Sequence, residues 1–495
     1  MKMKKYRSLF IILGIIVVAV VALVALEINF RSARWDIPVS TISDGAGGAI
    51  IAWQNNKGIH VQHVDLLGNV LWQKGGLLIT NTKEIADPFI LTQTDFTMVT
   101  DGAGGAIIAW AGGSSSHAKI NSPAYFSPLT IYVQRITADG KIMWNQTPVS
   151  TGDNWEMIPD GEGGVIIAWD NFKPYSEALH DDYLCLQNIS SNGSMLWGNT
   201  GLNLVKSSPF HLVTGVEITG ANSRSVDRSY PTYTGTQDIV SDSAGGVIVI
   251  WDEEEGSGAN QAYAQRVDSQ GNPAWAGSTL VGNGTYQNHS LLTDGSGGAF
   301  LALQAYNQGV TFRVQVGHDG GLMGVTQYYP YSVNDGSGGS INCRIQLVQP
   351  DVSSGTIYDT LYVQRLDAAG SPVWPEKQVI SSRLGYEILN LNCMGDDNGG
   401  IFLSWQLVRG ETARGMTYAQ RLDAAGNILF GNNGINVFGT TDTQQGWASV
   451  LSDGSEGIFV VAPIGNGAFG GNKVCVQHIN LNGDRLWGKG IRVDQ

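Results

Sequence analysis

The side chains in this sequence best suited to chemistry are carboxylates and aromatic rings gathered in a few irregular segments. Asp181 and Asp182 are adjacent, and residues 252 to 255 are a run of four acids that includes Glu254. Such groups can hold a divalent cation or, as a pair about 5 to 9.5 Å apart, hydrolyse a glycosidic bond. Near them in the sequence stand Tyr125, Phe172, Tyr175, Arg228, Tyr230, Tyr233 and Tyr358, able to stack on and hydrogen-bond a ligand. No spacing within the set marks a catalytic pair. Solvated loops also carry acids and rings, so each residue has a bland reading beside the functional one.

Other chemistries fail on spacing. The four cysteines, Cys185, Cys343, Cys393 and Cys475, include no Cys-x-x-Cys, which removes zinc-ribbon and thioredoxin chemistry. Cys343 and Cys393 are the one pair worth testing as a disulfide. The eight histidines form no metal-binding pair, and no nucleophile elbow, phosphate loop or dinucleotide fingerprint stands in its required context. No catalytic residue and no cofactor is therefore assigned; calcium alone is entertained.

The elements that position these segments come from an internal repeat. An Asp-x-x-Gly-Gly element, with one imperfect copy, begins at Asp44, Asp101, Asp160, Asp242, Asp294, Asp335, Asp396 and Asp453. Each is followed by a segment resembling Tyr-Val-Gln-Arg-x-Asp-x-x-Gly-x-x-x-Trp, with its Gln at 62, 134, 187, 265, 315, 364, 420 and 477. Ten residues after the Gln comes Trp72, Trp144, Trp197, Trp275, Val325, Trp374, Phe430 or Trp487. A second tryptophan stands nine residues after the Asp in five copies, so the two positions hold 11 of the 14 tryptophans. These rings serve the repeat, as filler between stacked sheets. One carboxylate among glycines falls short of the six to eight oxygens a calcium ion takes, which makes each Asp element a turn first.

Short apolar segments bounded by Gly, Asp and Asn read as four antiparallel strands per unit, at about 37–43, 48–53, 59–65 and 69–72 in the first. Eight such units fit an all-β fold, an eight-bladed β-propeller of four-stranded antiparallel blades over residues 36–495. The ends at 36–43 and 490–495 could close the ring in either phase. The Asp-to-Gln distance varies from 18 to 33 residues and the distance from the Trp position to the next Asp from 10 to 45, while the turns between strands A and B and between C and D stay constant. All length variation then falls on one face, the expected binding surface, which displays the ten loop residues named above.

Ahead of the repeats, Lys2, Lys4, Lys5 and Arg7 precede an uncharged run from Leu9 to Leu26. At 1.5 Å per residue it spans about 27 Å, enough to cross a bilayer. The expected order is a cytoplasmic basic segment (1–8), a transmembrane signal-anchor helix (9–29), a linker (30–35) and an extracytoplasmic propeller, at the cell surface or in a periplasm, or secreted if the leader is cleaved. A formal net charge of −14 argues against a nucleic-acid partner.

The repeat segment ending Asp65 to Trp72 resembles the tryptophan-docking motif of quinoprotein-like eight-bladed propellers, although the turn is a residue shorter and no vicinal cysteine pair is present. A closer resemblance is to secreted or surface bacterial repeat proteins with Asp-Gly-x-Gly-Gly and Tyr-x-Gln-Arg-x-Asp-x-x-Gly units. That likeness implies a surface propeller without assigning an activity. The function expected is a non-catalytic binding scaffold for an envelope protein or glycan; a carbohydrate-active enzyme using loop carboxylates and an envelope assembly factor are the alternatives.

Overall fold

The computed structural model describes residues 39–494 except 56, 82–95, 113–129, 145–146, 173–181, 205–211, 214–236, 256–258, 284–285, 306–310, 329–330, 352–355, 368–369, 382–385, 397, 410–414, 440–443, 455–456 and 466–472. The expected membrane span lies outside the described residues. Among the described residues no helix is long and apolar enough to cross a membrane.

Eight antiparallel sheets follow one another along the chain, each with its strands in sequence order from A to D. In blade 1 these are Val39–Ser43, Ala49–Asn55, Gly58–Val64 and Leu77–Asn81. Strand B carries Ala49-Ile50-Ile51-Ala52-Trp53, all buried. A strand covered on one side would alternate apolar with polar; a run buried throughout requires neighbours on both faces, as radially stacked blades provide. The architecture is an eight-bladed β-propeller.

Strand D of the first blade begins eight residues later than its expected place at 69–72. Only Val70 in that segment pairs, as an isolated bridge to Val64. The chain detours because the Gln62 side chain accepts the Trp72 N–H (3.1 Å) and donates to the Gln73 carbonyl (2.9 Å), pulling the segment out of the ladder. It returns through Gly76, at φ +80°, where a Cβ would lie 2.6 Å from the Trp53 ring. Only a residue without a side chain lets strand D start there.

The detour delivers the second tryptophan to the neighbouring blade. The indole Nε1 of Trp72 donates to the Ala138 carbonyl at 3.0 Å, and Trp144, Trp197, Trp275 and Trp374 repeat this onto Ser191, Ser269, His318 and Ala424. Each ring rests on the glycine of the next blade's C–D turn: a Cβ at Gly140 would come within 2.9 Å of Trp72. Trp487 of blade 8 meets Gly68 of blade 1 in the same way, which closes the ring. Blade 5 has Val325 at this position, and a Cβ on the following Gly370 would meet nothing within 4 Å.

Closure uses no exchanged strand. The first described strand is the innermost of blade 1, and Ile491–Arg492 is the outermost of blade 8 (Ser449–Ser452 with Gln444–Gln445, Ile458–Gly465, Lys473–Ile479). That seam is held by one apolar cluster containing Ile51, Trp53, Phe459, Val476 and Val493. Cys343 and Cys393 come from blades 6 and 7, are free thiols, and touch across the seam between those two blades, where burial pushes the Cys343 thiol up.

Trp197→Ala removes a ring only 4% exposed together with its bond to the next blade. The expected loss is about 3–5 kcal/mol of stability, measured by urea unfolding; a loss below about 1 kcal/mol would show that the seams do not depend on this ring.

Candidate functional site

The repeated polar residues are engaged within the scaffold. In blade 4 one Asp242 oxygen accepts the N–H groups of Ala244 (2.8 Å) and Gly246 (2.7 Å), and the other accepts from Arg266 Nε (2.9 Å). Asp101 with Arg135, Asp335 with Arg365 and Asp396 with Arg421 repeat this, and His63 and His478 substitute for the arginine against Asp44 and Asp453. A carboxylate occupied in this way is a turn clamp. Among the described residues no group of three or more His, Cys, Asp or Glu side chains is placed to hold a metal ion.

Of the ten loop residues expected on the binding face, Tyr125, Tyr175, Asp181, Arg228, Tyr230 and Tyr233 lie outside the described residues. Phe172 and Asp182 stand opposite each other at the open end of strands B and C of blade 3 (Val165–Phe172, Asp182–Ile189). Glu254 is paired with Asn260 near the tip of the blade 4 hairpin (Val247–Glu255, Ala259–Val267). Tyr358 is opposite Val348 in the long hairpin of blade 6 (Ser340–Asp351, Thr356–Leu366). All four positions are at the B–C ends of their blades and so share one face, but only Phe172 and Asp182 are brought together. Strand A of blade 1 starts on this face too, since Val39 pairs with Trp53 near the end of strand B.

A carboxyl pair unmarked by any sequence motif stands on the wall of the central channel. Glu156 lies on strand A of blade 3 (Asp153–Pro159) and Asp238 on strand A of blade 4 (Gln237–Ser241), and their side chains are hydrogen-bonded. Asp238 also accepts the Leu291 N–H of blade 5 at 2.7 Å, and Glu156 accepts the Ile239 N–H. The innermost strand of a blade has a free edge whose N–H groups need partners, and these acids supply them from the preceding blade. Each acid stands four residues before its turn Asp, where the other blades have Ser40, Thr97, Ser290, Tyr331, Asn392 and Ser449. Aligning the repeats on that position is the signal that could have found the pair.

Among the described residues no Lys or Arg occurs on an innermost strand to compensate two negative charges. Burial first, then the neighbouring Asp238, pushes the Glu156 carboxyl up to about 8, while burial pushes Asp238 up to about 6. Glu156 is itself solvent-exposed, and screening by water limits how far its carboxyl is raised. A pair of this kind holds a proton near neutrality and can both donate and accept.

No protein family model and no curated protein matches the sequence. Solved structures align with this chain at low identity. Prolyl oligopeptidase B from Galerina marginata aligns with 10% identity over 80% of this chain and 50% of its own, at a TM-score of 0.41. This chain thus spans about half the length of that protein. The periplasmic gluconolactonase of Pseudomonas aeruginosa aligns with 11% identity over 79% and 93% of the two chains (TM-score 0.36), and an ulvan lyase with 11% over 79% and 94% (TM-score 0.40). These neighbours are enzymes, and nothing is carried over from them to this chain.

The raised carboxyls fix the sign of a pH effect. The folded state retains protons that the unfolded chain releases near the ordinary carboxylate pKa, so the stabilising contribution is full below that range and is lost as pH rises through about 8. Glu156→Gln cannot ionise. Its melting temperature should therefore fall less than the parent's between pH 5 and 8.5 in thermal scans at fixed ionic strength, and parallel curves would remove the pair from the pH response.

Proposed function

We propose that this protein is an extracytoplasmic binding scaffold, held to a membrane through residues 9–29, whose loop-bearing face engages an envelope protein or glycan. The observation that carries the reading is segregation. The repeat's turn carboxylates are tied up within their blades and the tryptophans after strand C bond the next blade, while the elongated hairpins of blades 3, 4 and 6 project on a single face. Recognition is the use to which a rigid frame with one variable surface is suited. The resemblance to secreted or surface bacterial repeat proteins agrees with this assignment.

On this reading the loop face looks back toward the bilayer, because strand A of blade 1 begins on that face. Residues 30–38 could span at most about 30 Å between the two. The partner then sits between membrane and propeller, an arrangement that also suits an assembly factor for envelope proteins. Calcium could bind only among loop acids such as Asp181, Asp182 and Glu254, since the turn carboxylates are engaged.

Enzymatic activity is the second reading, favoured by the Glu156–Asp238 pair. Carboxyls in direct hydrogen bond are closer than the pair of a glycoside hydrolase, so the chemistry would be proton exchange at one locus.

The full-length chain in detergent should retain a partner from solubilised envelopes or a glycan from an array. Replacing residues 214–236 by a short Gly-Ser linker should abolish retention with the melting temperature unchanged, since Leu212–Val213, which pairs outside strand D of blade 3, is kept and strand A of blade 4 begins at Gln237. Turnover of any screened polysaccharide or ester that is lost in Glu156→Gln would replace the scaffold reading with the enzymatic one.

A further inference from the structure

Three tryptophans stand outside the two repeat positions, at 35, 155 and 447. Trp155 packs against the core of blades 2 to 4. Trp447 is different: it is 69% exposed, whereas the tryptophans of the repeat are buried or nearly so. An exposed indole forfeits the largest hydrophobic gain of any side chain, and this one is held in place by the neighbouring blade.

The innermost strand of blade 8 is interrupted. Gln444–Gln445 and Ser449–Ser452 both pair with strand B, and residues 446 to 448 bulge between them. Gln444 and Gln445 pair with Gly465 and Ile464, the last residues of strand B, so the bulge is at the loop-face end of the blade. Blade 7 fixes it on both sides. The buried Gln406 side chain donates to the carbonyls of Gln445 (2.7 Å) and Gly446 (2.5 Å), and Asn392 donates to that of Ala448 (3.1 Å). Within blade 8, Gly446 N–H donates to the Pro463 carbonyl (2.8 Å), and the Gln445 side chain accepts the Thr417 N–H of blade 7 at 2.6 Å. Gln406 is itself oriented by Asn390, which sits at φ +51° in a bulge of strand A of blade 7 (Tyr386–Gly395). An asparagine tolerates that conformation better than most residues, though still at a cost. Two irregular inner strands and a buried amide network thus converge on the backbone of one solvent-facing ring.

We propose that Trp447 is a stacking platform for a saccharide at the loop-side mouth of the central channel. A sugar ring has one flat face of C–H groups and a rim of hydroxyls, so it needs a pre-positioned aromatic surface and uncharged or proton-sharing polar partners around it. Among the described residues the innermost strands supply serine, threonine, tyrosine and asparagine at one repeat position, plus the Glu156–Asp238 pair, and no Lys or Arg that would select a phosphate or carboxylate. Blade 8 stands across the ring from blades 3 and 4, so platform and carboxyl pair belong to opposite walls of one channel. A cationic ligand is the competing occupant. It is less well served, because a single ring forms no cage and the pair shares a proton.

The site names the ligand class for the glycan arm of the binding reading and rests on that reading only for the choice of face. The test uses full-length protein in detergent, with neutral oligosaccharides of glucose, galactose, mannose and N-acetylglucosamine as probes, and choline and spermidine as cationic controls. Tryptophan oxidation by N-bromosuccinimide, mapped by peptide mass spectrometry, should modify Trp447 ahead of the buried repeat tryptophans. At least one oligosaccharide should protect it. Calorimetric affinity for that oligosaccharide should fall tenfold or more in Trp447→Ala and by only a few-fold in Trp447→Phe, with melting temperatures unchanged within about 2 °C. Failure of every oligosaccharide to protect, protection by choline or spermidine alone, or equal affinity in Trp447→Ala overturns the proposal. An envelope partner retained equally by Trp447→Ala and lost on replacing 214–236 would overturn the saccharide site and leave the scaffold reading standing.

Discussion

Six of the eight blades of this ring lay an indole over a glycine of the next. The contact joins a large apolar area to one directed hydrogen bond, and both require a neighbour without a side chain: a Cβ at Gly271 would lie 2.9 Å from Trp197. Trp487 likewise lies over Gly68 and joins the last blade to the first, with no strand exchanged among the described residues. A blade alone could not bury two apolar faces, so its residues make sense only within the closed ring.

That constraint decides where chemistry can be placed. The Asp, Arg, Gln and Trp of the repeat are the polar residues a reader would first suspect, yet Asp242, Arg266, Gln187 and Trp197 show their use: they bond turn N–H groups, each other and neighbouring backbone. What departs from the repeat is more informative. Glu156 and Asp238 replace small polar residues on the inner strands, and Trp447 stands where blade 8 breaks its inner strand. All three are on or beside the central channel. The rigid turns permit this economy, because irregularity at the axis does not disturb the docking at the rim.

Val325 shows how far the repeat can lapse. Without a tryptophan in blade 5, Gly370 keeps its turn but faces open space, while the blades on either side retain their own contacts. Stability shared among many equivalent seams tolerates the loss of one.

Spacing alone revealed the repeat, the blade count, the constant turns and the face on which length varies, because a propeller writes the same local contacts eight times. The start of strand D was not legible in it. The Trp72 segment has the composition of a strand, and only the Gln62 side chain, ten residues earlier, removes it from the ladder. Nor was the contact of Glu156 with Asp238, 82 residues apart, or the exposure of Trp447, which in composition is one tryptophan among fourteen. Periodicity reports what each blade does for itself; which side chains meet across a seam, and which ring is left in water, depends on how the blades are arranged around the axis.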